Sequence, residues 1–93
     1  VTIESILTVV ARHFNLKVQD IKSKGNAQRI AYPRQVAMYL SKRLAGESYP
    51  MIGTMFGGKH HTTVMHAVKK IEDLRSKDSA LNKTLISIEE ELR

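Results

Sequence analysis

Between Lys59 and His66 the chain reads KHHTTVMH, a stretch that gathers three imidazoles, two hydroxyls and an ammonium into eight residues. Such groups hydrogen-bond to base edges and phosphates, and the same types could also ligate a metal or cradle a nucleotide. The spacing separates these chemistries. Zinc-binding helices favour an i, i+4 histidine pair, which neither His60 with His66 nor His61 with His66 supplies, and the chain has no cysteine to complete a tetrahedron. No metal site is expected. Gly53 to His60 reads GTMFGGKH, one residue short of the phosphate-loop pattern G-x-x-x-x-G-K-[ST]. A phosphate loop needs a buried strand before it and a Ser or Thr after its lysine to hold Mg²⁺, whereas here the preceding segment is helix-like and His60 follows Lys59. There is no nucleophile with an orienting base either, so no reaction is assigned and no cofactor is expected.

What remains is recognition by a helix tip. Val64, Ala67, Val68, Ile71 and Leu74 recur at i, i+3, i+4, i+7 and i+10, an apolar stripe that must face a core. Thr62, Thr63, His66, Lys69 and Lys70 are then left on the exposed side or at the tip. A helix inserted into the major groove brings hydroxyls, imidazoles and free N–H groups to bases and phosphates in this way. Ahead of it, Ser48 can cap a short helix with Pro50 in its first turn, and Ile52, Met55 and Phe56 supply the inward face. Gly57 and Gly58 stop that helix, since a sharp reversal demands positive φ. Ser48 to Leu74 therefore carries a helix-turn-helix signature.

The charge sits in the same region. From Lys17 to Lys70 ten Lys/Arg face two acids, net +8, while the first sixteen residues balance and the last twenty-three carry net −2. A positive field centred on the motif suits a surface that displaces counterions from phosphates. The plainer alternatives are a solvated basic face or one drawn to anionic lipid.

The rest of the sequence must hold this motif in place. Ninety-three residues make one domain, 1–93, and bury roughly 60 to 65% of the unfolded surface, with 42% hydrophobic residues and no long apolar span. A cytoplasmic setting is the default expectation, and a start at Val1 in mid-helix grammar reads as a fragment of a longer protein. Thr2 caps a first helix to about Phe14 through Ile3, Ile6, Leu7 and Val10, closed by Asn15. Lys17 to Lys22 reads as a short second helix, and Ser23 to Arg29 as a polar loop that could reach a neighbouring groove. Pro33 is expected in the first turn of a third helix that buries Val36, Ala37, Leu40 and Leu44. A last helix runs from Ala80 or Leu81 to Leu92, with Glu89 to Glu91 at its C-terminal end predicted to fray against the helix dipole. No segment alternates long enough for a strand, so the expected fold class is all-α with about six helices.

Two passages, IAYPRQVAMYLSKRL (Ile30 to Leu44) and SYPMIGTMFGGKHHTTVMHAVKKI (Ser48 to Ile71), closely resemble the C-terminal DNA-binding domain of the bacterial chromosomal replication initiators of the DnaA family. The most specific pieces are Pro33 to Leu40, Ile52 to Gly58 and His61 to Val64, in the family's order and spacing. The resemblance covers nearly the whole chain. It implies a Trp-repressor-like helix-turn-helix over about 48–74 that binds duplex DNA at short asymmetric sites, DnaA boxes, of the replication origin. It further implies that His60, His61, Thr62 and Thr63 read bases in the major groove. Arg34, Gln35, Lys42, the backbone around Tyr49 and Pro50, Lys59 and His66 match positions on the DNA backbone. ATP binding would belong to an upstream AAA+ domain outside this chain, as would contacts with other initiator protomers. A link to acidic phospholipids also comes with the family, and a basic amphipathic first helix could serve it.

Two positions depart from the family's pattern. Where the family usually has Asp this chain has His60, and a carboxylate can accept from a cytosine amine, which histidine does only when neutral. The base preferred there is left open. The family's minor-groove Arg aligns with Asn26 or nearby, so Lys24, Asn26 and Arg29 are the candidates, with Arg29 or Lys24 expected to make the contact.

Overall fold

Six consecutive residues from Val36 to Ser41 are buried, as are Pro33 and Arg34, so the helix that carries them must be surrounded. In a computed structural model, which describes residues 1–93, that helix is α3 (Gln28–Leu44) and the others pack about it. The chain runs α1 (Ile3–His13), α2 (Val18–Ile21), α3, α4 (Tyr49–Met55), α5 (His61–Arg75) and α6 (Ser79–Glu91). α3 lies against α1, α2, α4 and α5, while α6 closes the far side on α1 and α5. The fold is all-α, as the periodicities predict. One core joins Ile6, Leu7 and Val10 of α1, Ile21, the α3 stripe, Ile52 and Phe56, Val64, Val68 and Ile71 of α5, and Leu85 and Ile88 of α6.

The helix ends follow local chemistry. Thr2 and Ser5 form a reciprocal capping box on α1, with the Ser5 amide donating to Thr2 Oγ1 at 3.1 Å and the Thr2 amide to Ser5 Oγ at 3.1 Å. Asn15 at φ 58° closes the helix, because Asn tolerates the left-handed region and lets the Leu16 amide bond back to Ala11 O at 2.8 Å. Asp78 caps α6 through the Ala80 and Leu81 amides, which starts that helix at Ser79, slightly earlier than its apolar stripe implies.

Two expectations are corrected. Pro33 is not in the first turn but the sixth residue of α3, which begins at Gln28. The Pro ring forfeits one bond there, and burial of Pro33 and its neighbours offsets the loss. Glu89 to Glu91 do not fray: α6 continues to Glu91, with Glu89 paired to Arg75 and Arg43, and Glu91 to Arg12. Ion pairs to neighbouring helices outweigh an unfavourable dipole of a few tenths of a kcal/mol. Ile3, Ile6, Leu7 and Val10 of α1 are all in the core, as their helical spacing predicts. No helix is long and apolar enough to cross a membrane.

Candidate nucleic-acid interface

α4 and α5 are joined by a tight turn whose backbone comes very close to itself. A Cβ on Gly53, inside α4, would lie 2.1 Å from Lys59 O, and the Lys59 amide donates to Gly53 O at 2.8 Å. Gly57 and Gly58 take φ of 85° and 78°, so the reversal falls where the paired glycines predict it. The nucleotide-loop reading fails on this geometry, since a helix rather than a strand precedes the turn and the Lys59 ammonium points into the protein.

The tip of α5 projects outward. His61, Thr62 and Thr63 are exposed, while Val64, Ala67, Val68 and Ile71 fasten the helix from behind. The helix begins at His61, and His60 is its N-cap, with Nδ1 accepting from the Thr62 amide at 3.2 Å and lying 2.7 Å from Thr62 Oγ1. The cap leaves the His60 side chain exposed at the tip. The His60 and His61 rings stack at 4.5 Å between centroids. Thr63 and Val64 amides bond to His60 O, so of the tip's N–H groups those of His60 and His61 are left for a ligand. The Thr62 hydroxyl is likewise drawn to the cap.

Beside the tip, α3 and α5 enclose a cleft of about 360 Å³ lined by Asn26, Gln35, Thr63, His66 and Lys70, with Arg34 and Lys59 in its wall. Gln35 Oε1 is buried there without a partner, and Lys69 and Lys70 are exposed farther along α5. Of the loop candidates, Asn26 faces this cleft, Lys24 is exposed on the loop, and Arg29 is exposed in the first turn of α3.

Two of the cations expected on the DNA backbone turn most of their donors inward. Arg34 is 7% exposed, and its guanidinium donates to Ile21 O at 2.7 Å, Ser23 O at 2.8 Å, Gly25 O at 2.9 Å and, more weakly, Asp20 O at 3.5 Å. At most one of its five N–H groups is free for a phosphate, so it serves as a bolt for the loop and a buried positive charge beneath the cleft. Desolvation holds its pKa below the ordinary arginine value. Lys59 donates to Ser23 O at 2.8 Å, Phe56 O at 2.9 Å and Lys22 O at 3.2 Å, which uses all three ammonium hydrogens. Desolvation, then the charges of Arg34 and Lys24, push its pKa down. Burial against carbonyls was invisible in a pattern that shows only cations.

Lys42 remains available. Its ammonium lies 4.6 Å above the Tyr49 ring and makes one bond, 3.2 Å to Glu47 O, so it keeps donors at the start of α4. There the Met51 amide is held by Ser48 Oγ at 3.2 Å and the Ile52 amide by Ser48 O at 2.9 Å, and Pro50 has none. Only the Tyr49 amide is left of the set expected at that helix start. Taken together, one face carries an exposed imidazole and hydroxyl tip, a cationic cleft and a flanking loop.

The chain matches the family described as bacterial dnaA protein helix-turn-helix over residues 3–71. It is 50% identical over all 93 residues to the chromosomal replication initiator protein DnaA of Bordetella pertussis, covering 20% of that protein. The same protein of Burkholderia multivorans is also 50% identical over 93 residues, with 18% of its length covered. The chain thus spans about a fifth of the length of these relatives. With its helix-turn-helix built as described and matched through most of its length, the chain belongs to the bacterial DnaA helix-turn-helix family.

Proposed function

We propose that this domain binds duplex DNA at DnaA boxes and so delivers a replication initiator to its origin. The outward tip of α5 carries the reading: three exposed side chains, His61, Thr62 and Thr63, stand where a helix laid in the major groove would meet base edges. Threonine methyls suit thymine methyls, and the hydroxyl of Thr63 and the imidazole of His61 suit base-edge acceptors and donors. Lys42, the Tyr49 amide, Gln35 and His66 lie on flanking elements that would follow the sugar-phosphate ridges, with Lys70 alongside. Asn26, Lys24 and Arg29 occupy the loop and helix start that would reach the adjacent minor groove.

Selection from a randomised duplex library followed by sequencing tests this reading. One short asymmetric motif, lost when His61 and Thr63 are both changed to alanine, is the expected result. Enrichment of no motif, with binding governed by salt alone, would overturn it.

A further inference from the structure

Two parts of the proposed interface come from distant stretches of chain, the loop Lys22–Asn26 and the tip at His60 to Thr63, yet they share one fastening. The Lys59 ammonium, one residue before the helix cap, is bonded to Lys22 O and Ser23 O of the loop and to Phe56 O of the turn. The turn touches the same place independently, because a Cβ on Gly57 would lie 2.2 Å from Lys22 O. Arg34 draws in Ile21, Ser23 and Gly25 carbonyls from the α3 side. Carbonyls turned inward onto the buried Arg34 and the half-buried Lys59 leave the Lys24 and Asn26 side chains exposed.

We propose that Lys59 is a positioning residue, which sets the loop in register with the recognition-helix tip so that both sense one DNA site together. The proposal rests on the function proposed above. Lys59 touches no phosphate in this scheme. Its ammonium satisfies loop and turn carbonyls that would otherwise be desolvated without a donor, and it fixes the distance between minor-groove and major-groove contacts.

The test compares the wild-type chain with Lys59→Met and Lys59→Arg in the same library selection, with affinity for the best duplex followed against salt. The base pairs sensed by the loop are marked by a variant carrying Lys24→Ala, Asn26→Ala and Arg29→Ala. Lys59→Met is expected to weaken preference at those pairs by about fivefold to tenfold, the weight of one hydrogen bond, while the pairs governed by Thr63 and the salt slope stay unchanged. Lys59→Arg, which can also donate to carbonyls, restores the preference. Without DNA, amide exchange at Ser23, Gly25 and Asn26 quickens in Lys59→Met and not in Lys59→Arg. Should Lys59→Met melt below the assay temperature, the milder Lys59→Gln carries the same comparison. Uniform weakening on every duplex with a slope shallower by about one unit would assign Lys59 to a phosphate and overturn the proposal. Unchanged preference and exchange would overturn it too. If the wild type enriches no motif, the proposed function fails instead, and the exchange measurement alone decides the clamp.

Discussion

Arg75 and Glu89 meet as a two-pronged ion pair, Nη1 to Oε2 at 2.9 Å and Nη2 to Oε1 at 3.0 Å, which ties α6 to the end of the recognition helix. Arg75 also donates to Tyr39 Oη at 3.1 Å and to Asn82 Oδ1 at 2.8 Å, so α3, α5 and α6 share one guanidinium. The recognition helix is thus held at the end opposite its exposed tip. A planar donor with five hydrogens makes this junction; lysine could not.

Hydrogen bonding from Arg75 holds the Glu89 carboxyl below its ordinary value, against the opposing effect of burial. In the unfolded chain the group returns to about 4.3, so the folded state binds its proton more weakly. The stabilisation is full above that value and fades as pH falls through the folded one. Glu89→Gln is therefore expected to lower stability at pH 7 by about 1 to 3 kcal/mol, less than a fully buried pair. Urea melts at pH 7 and at lower pH check this, with the gap between variant and wild type narrowing on acidification.

Gly53 lies in a helix, where glycine to alanine ordinarily stabilises by about 0.5 to 1 kcal/mol. Here the added carbon would be 2.1 Å from Lys59 O, a backbone atom that cannot swing away. Gly53→Ala is expected to destabilise by about 1 to 3 kcal/mol, and thermal melting reads the sign directly.

Thr63→Ala should cost about 1 to 3 kcal/mol of binding on the selected duplex and relax preference at its base pair. Lys42→Ala should weaken all duplexes alike and make the salt slope shallower by about one unit. Equal loss on matched and scrambled duplexes for Thr63→Ala would remove it from base reading.

His60 offers a separate test because its ring caps α5 through Nδ1 while the side chain stays exposed. His60→Ala removes the cap and should cost about 1 kcal/mol of stability. His60→Asp retains a capping oxygen and puts at the helix start a negative charge that can only accept. Library selection should then shift at one base pair toward the cytosine amine, from which a carboxylate can accept.

Spacing and residue type alone determined the six helices, the turn at Gly57 and Gly58, and the buried stripe that leaves His61, Thr62 and Thr63 outside, because each depends on local periodicity and backbone preference. Which cations are free was decided only by tertiary structure. Arg34 and Lys59 look like Lys42 and Lys70 in a sequence, yet the first two are consumed by loop carbonyls that folding brings to them. The same holds for Gly53, whose need arises from a backbone six residues away, and for Glu89, whose helix end is secured by arginines from α3 and α5. A donor's availability depends on what packs against it, and that is a property of the folded chain.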